Sequence, residues 1–200
     1  MSGPTPARAR FEVVALAASA GGLSALSLVL GALPADFGAA IVVVQHLAPQ
    51  HRSVMAHILD RRTVMSVRQA ADGDRIGPGG VWIAPPDHHL LVHGDGWLSL
   101  SRTEPVHFVR PSADLLFESL AAGYGDRAIA VVLTGTGFDG GAGVRAVKAG
   151  GGTVIAQDRA SSDHFGMPGV AIQTGCVDFI LPLDRIAPAL VSLVMRGEAP

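Results

Sequence analysis

The chain has 200 residues, enough for one domain with a sizeable core, and its 48% hydrophobic and 16% charged content excludes disorder as a description of the whole. A net charge of −2 without a basic stripe argues against a nucleic-acid partner, and every apolar run is broken well short of membrane-spanning length. The single cysteine, Cys176, cannot pair internally, fits a reducing cytoplasm, and reads as a small buried hydrophobe.

Residues 1–10 lack the apolar core of a signal peptide and are expected to be a disordered tail, leaving 11–196 as a single domain. Strand and helix patterns then alternate, the βαβ signature of a doubly wound α/β fold, with a mostly parallel sheet and helices on both faces. A strand is expected at 11–17, a helix at 23–33 halted before Pro34, a strand at 40–45, a helix at 53–60 and a short strand at 64–67. The middle reads differently. Segments 81–84, 90–92 and 97–100, with a tight turn at Gly94-Asp95-Gly96, predict short antiparallel pieces and an inserted hairpin that walls a site. A helix at 112–122 follows, with Leu115, Leu116 and Leu120 on one face. Strands at 128–133, 153–156 and 177–181 alternate with helices at 141–149, 168–174 and 185–196.

Three polar residues stand just past apolar runs: Ser19, His46 and Asp139. Parallel sheets bring the carboxyl ends of their strands to one edge, where ligands bind. A serine, a histidine and an aspartate there make a nucleophile, a base and an orienting carboxylate, so a serine hydrolase is expected. Ala18-Ser19-Ala20-Gly21-Gly22 resembles a nucleophile elbow with Ala17 in place of the first glycine, although such a junction is more often a simple N-cap and turn. The order Ser, His, Asp also differs from that of α/β-hydrolases. A base must be neutral to work, and free histidine titrates near 6.5, so turnover is expected to rise through roughly pH 6–7.5. The remaining histidines lie in polar or turn contexts and read as solvated; His89 and His93 lack a completing ligand cluster, so no metal is expected.

Gly135-Thr136-Gly137-Phe138-Asp139-Gly140-Gly141 admits a second reading. It fits G-x-G-x-x-G, and Asp158 ends the next strand, as in a dinucleotide-binding oxidoreductase. Against this, the motif lies in the second half of the chain, and no hydride-transfer partner stands out.

At these residues the chain resembles the catalytic domain of the chemotaxis protein-glutamate methylesterases, the CheB family. The carriers run from about Val13 to Val194: Ala18-Ser19-Ala20-Gly21-Gly22, then Val44-Gln45-His46-Leu47 with Pro49, then Ile83-Ala84-Pro85-Pro86 with His89. Arg110-Pro111-Ser112-Ala113-Asp114-Leu115-Leu116-Phe117, the run from Val132 to Gly140, Gly151-Gly152-Thr153, Ala156-Gln157-Asp158 and Phe165-Gly166-Met167-Pro168 complete them. The resemblance implies that Ser19 attacks, His46 is the base and Asp139 orients it, with Ala20, Thr136 and Gly137 as oxyanion or cleft candidates. Better-known members often carry Thr at the position of Ala20 and Met at that of Thr136. The implied reaction hydrolyses glutamate methyl esters on cytoplasmic helices of methylated chemoreceptors, or deamidates receptor glutamine, without a cofactor. A catalytically silent receptor-binding module is the other alternative. The family's usual receiver domain has no counterpart in these 200 residues, so control is expected from a separate receiver-type or other regulator in trans.

Overall fold

Apolar, β-branched runs form the centre of the fold in the computed structural model, which describes residues 11–47 and 53–200. The tail expected at 1–10, and Pro49 and His51, lie outside the described residues. In chain order the elements are β1 (Val13–Ala18), α1 (Gly22–Gly31), β2 (Ala40–Gln45), α2 (Met55–Asp60), β3 (Ser66–Gln69), β4 (Gly80–Ile83), β5 (His89–Val92) and β6 (Leu98–Ser101). They continue with α3 (Ala113–Tyr124), β7 (Ala128–Val132), α4 (Gly141–Ala149), β8 (Thr153–Gln157), α5 (Gly166–Gln173), β9 (Phe179–Leu181) and α6 (Leu183–Val191).

Seven strands make one parallel sheet in the order β3-β4-β2-β1-β7-β8-β9. Every residue of β1, β2 and β7 is buried, which is why these strands read as continuous apolar runs rather than as alternation. Successive side chains still point to opposite faces. Val14, Leu16 and Ala18 pack with Leu26, Leu30 and Leu190 on the face covered by α1, α2 and α6. Val13, Ala15 and Ala17 pack with Leu116, Phe117 and Val144 on the face covered by α3, α4 and α5.

The doubly wound α/β expectation therefore holds, with one correction. Segment 81–84 does not join an antiparallel unit: β4 pairs in parallel with β2 and β3 inside the main sheet. Its side chains are all buried, the mark of a parallel strand covered on both faces. Only β5 and β6 form the antiparallel hairpin, in register from His89 opposite Ser101 to Val92 opposite Leu98. Cys176 is half-buried against the α3 face of the core.

The strand order places the site. From β1 the chain runs outward to β2 and on to the edge strand β3, comes back to β4 between them, and after the hairpin crosses to β7 on the other side of β1. The order thus reverses between β1 and β7, where open α/β sheets open a crevice at the strands' carboxyl ends. Ser19 follows β1, His46 follows β2, and Asp139 lies in the loop after β7.

Candidate active site

Ser19 sits on a turn that only small residues permit. Gly21 has φ +80° and occupies the N-cap position of α1, without a side-chain cap, so Ser19 is not the helix cap that its sequence context also allowed. A methyl group on Gly135 would lie 2.8 Å from Ser19 Cβ and 2.4 Å from Met167 Sδ, so the start of the β7–α4 loop packs directly against the serine. The backbone fixes the turn from both sides. Ser19 N–H donates to Thr134 O at 3.0 Å, and the Thr134 hydroxyl donates to Ala20 O at 3.0 Å.

The register Ala18 opposite Gln45 sets Ser19 beside His46, and His46 N–H donates to Ala18 O at 3.0 Å. Gln45, buried at the end of β2, clamps the two together: its Nε2 donates to Ser19 O at 2.7 Å and to His46 O at 3.0 Å. A Cβ on Gly22 would come within 1.9 Å of Gln45 Oε1, so glycine is required there for Gln45 to stay in place. Ser19 Oγ and His46 share no hydrogen bond in the structure; such bonds are often loose before substrate binds.

His46 Nε2 lies 2.8 Å from Asp139 Oδ2. Asp139 is 2% exposed and meets the N-terminus of α3. Oδ1 accepts from Ser112 Oγ at 2.8 Å and from Asp114 N–H at 3.1 Å, and Oδ2 accepts from Ala113 N–H as well as from His46. An isolated carboxylate buried so deeply would carry a desolvation cost of several kcal/mol. Burial pushes the Asp139 carboxyl upward, but His46 and the two α3 amides outweigh it and hold it below the usual carboxylate range. The group stays ionised, and it fixes the imidazole in orientation and tautomer. With Nε2–H donated to Asp139, Nδ1 is the free lone pair.

Behind Asp139 stands a second buried layer. Ser112 caps α3, accepting from Leu115 N–H, and its own N–H donates to His89 Nδ1 at 3.2 Å. His89 Nε2–H donates to Glu104 O at 3.2 Å, so both ring nitrogens are used by a neutral imidazole. Burial pushes the His89 pKa down, in the direction that keeps it neutral. The expectation that His89 is solvated is overturned: it is 0% exposed, because β5 turns it inward onto Ser112. In this way the hairpin supports the site from behind. Asp114, also buried, accepts from Gly143 N–H of α4 at 2.7 Å and pairs with His107 at 3.3 Å. Thus α3 caps α4 through Asp114, while the loop before α4 caps α3 through Asp139.

Ala20 lies in the β1–α1 turn, and Thr136 and Gly137 lie exposed in the β7–α4 loop. Among the described residues, none of these three amides donates to a protein acceptor. Asp158, the acid of the dinucleotide reading, accepts from Ser161 N–H and Oγ at 2.9 and 2.7 Å. A buried carboxylate at the centre of the glycine loop would also repel a pyrophosphate, so the geometry gives that reading no support. Sequence reasoning passed over Gln45, Ser112, His89 and Asp114 as site residues. Their signal was polarity: each is a buried polar side chain at the edge of an apolar element.

Comparison with known proteins agrees with this architecture. Residues 14–190 match the family model described as CheB methylesterase. The chain is 44% identical over 191 residues to a protein-glutamate methylesterase/protein-glutamine glutaminase of Moorella thermoacetica, covering 94% of this chain and 45% of that protein. It is 47% identical over 189 residues to one from Anaeromyxobacter dehalogenans, covering 94% and 55%. The chain spans about half the length of the curated relatives it matches. The crystal structure of the Thermotoga maritima CheB methylesterase catalytic domain matches with a TM-score of 0.88 at 38% identity, covering 92% of this chain and 99% of that one.

Proposed function

Since the chain belongs to the CheB methylesterase family, we propose that residues 11–196 form a single catalytic domain that hydrolyses methyl esters on glutamate side chains of chemoreceptors. The observation that carries this is the 2.8 Å bond between His46 and a buried, ionised Asp139, with Ser19 set beside His46 by strand register. Ser19 Oγ attacks the ester carbonyl while His46 Nδ1 takes its proton. Asp139 stabilises the imidazolium, which returns the proton to the departing methoxide, releasing methanol and leaving an acyl-serine. Water, activated by the same histidine, then releases the glutamate carboxylate. The free amides of Ala20, in the serine turn, and of Thr136 and Gly137, in the loop whose Gly135 packs on Ser19, are the donors proposed for the developing oxyanion. The same steps acting on a glutamine side chain expel ammonia, which is receptor deamidation.

The partner is the cytoplasmic helical region of a methylated receptor, and the enzyme works in the cytoplasm, with a receiver-type or other protein as its regulator in trans. No described helix is long and apolar enough to cross a membrane. The test is methanol release from methylated chemoreceptor by the purified chain. Release that disappears in Ser19→Ala is expected. Receptor binding without release would favour a silent module, and release undiminished in Ser19→Ala would end the nucleophile assignment.

A further inference from the structure

Segment 106–109 is a miniature hairpin. Val106 and Val109 exchange both backbone hydrogen bonds, at 3.1 and 2.9 Å, around the two-residue tip His107-Phe108. Both tip residues have positive φ, +50° and +64°. A two-residue turn of this hand normally uses Asn-Gly, because residues with bulky side chains resist left-handed backbone. Phe108 is moreover wholly exposed, at 102% of its reference area. An aromatic side chain is thus held in water on a backbone conformation that it disfavours, two independent local costs at one residue. Strain of this kind gathers at ligand clamps.

The hairpin is also braced. At its base, Arg110 donates to Asp87 through Nε and Nη2 and to the carbonyls of Arg102 and Thr103 through Nη1. At its tip, His107 pairs with buried Asp114 on α3. Phe108, Val109 and Arg110 share a cavity of about 230 Å³ with His46 and Leu47. A substrate protein that lies across this cavity beside His46 therefore meets the Phe108 ring.

We propose that Phe108 is a docking residue for the substrate protein, its ring packing on the aliphatic side chains of the receptor helix that carries the methylated glutamate. This rests on the reading of the site as a receptor methylesterase. The occupant follows from continuity: the cavity beneath the ring is shared with His46, and a helix too large to enter it must lie across its rim. An exposed aromatic on a braced backbone makes a good anchor, because the main chain that carries it is already ordered before the ring is covered.

The test measures binding apart from chemistry. Membrane vesicles containing methylated chemoreceptor are titrated with Ser19→Ala protein, alone and combined with Phe108→Gly or Phe108→Tyr. Glycine accepts the left-handed backbone, so Phe108→Gly should keep a Tm no lower than its parent while weakening binding about tenfold; Phe108→Tyr should stay within about twofold. Unchanged binding in Phe108→Gly, equal loss in both variants, or equal binding to receptor-free vesicles of the same lipid overturns the proposal. Should Ser19→Ala itself remain active, the nucleophile assignment fails, while the binding comparison still judges Phe108.

Discussion

Two walls of the cleft hang from the start of α3 and are built in opposite ways. Behind His46, Asp139, Ser112 and His89 are stacked at 0–2% exposure with every side-chain polar atom engaged. In front, Phe108 stands fully in solvent on left-handed backbone, tied to the same helix through His107 and Asp114. The difference follows the two tasks. Proton transfer slows by about 10²-fold when a reacting group is misplaced by about an ångström, so the support of the base is buried and hydrogen-bonded. Recognition of a protein needs an apolar group that water can leave, so that group is exposed but braced.

The buried wall should respond most strongly to removal of the charge. Asp139→Asn places an amide where Asp139 faces four donors, and it offers His46 the wrong tautomer. Turnover of methylated receptor is expected to fall roughly 10⁴-fold, with a loss of about 1–3 kcal/mol in urea unfolding. Added to Ser19→Ala, it should reduce turnover little further, because the triad acts as a unit. A full additive loss would separate Asp139 from Ser19 in mechanism.

One layer back, the effect should shrink. Ser112→Ala removes both the cap of α3 and the hydroxyl held by Asp139 Oδ1. About 0.5–2 kcal/mol of stability should go, measured by urea midpoint, with roughly a tenfold fall in kcat and little change in KM. A rise in KM alone would mean that this wall touches substrate rather than holding the base.

Much of this was legible in the sequence, and the illegible part has one cause. Ser19, His46 and Asp139 stood out because each follows an apolar run at what becomes the carboxyl edge of the sheet. The strands were plain for the same reason, although β4 was read into a hairpin, since periodicity says nothing of which partner a short apolar run will choose. His89 read as solvated, and Asp114 was given no role in the site, because their partners are distant in sequence. His89 meets Ser112, and Asp114 meets Gly143, only after β5, α3 and α4 pack together. The strain at His107-Phe108 is equally invisible in residue types, which gave no sign of a turn without Asn or Gly.

The smallest effect compares the two carboxylates at the start of α3. Asp139 is held below the usual range, so its stabilisation is present above the unfolded value near 3.9 and is lost as pH falls through the folded one. Asp114 is pushed the other way, chiefly by burial. Its contribution is full below the unfolded value and lost as pH rises through the raised folded one. Unfolding midpoints measured from pH 3 to pH 7 should therefore show a shallower acid limb for Asp139→Asn than for the parent. Asp114→Asn should gain stability relative to the parent as pH rises. Parallel curves for all three proteins would remove the electrostatic contrast.

The central claim is that one serine among many is activated by the His46–Asp139 pair. Treating the purified chain with a fluorophosphonate and locating the adduct by peptide mass spectrometry tests it directly. A single adduct on Ser19, slowed by orders of magnitude in Asp139→Asn, is the predicted result. Modification of Ser24, Ser27 or Ser53 instead, or labelling of Ser19 at the same rate without Asp139, would contradict it.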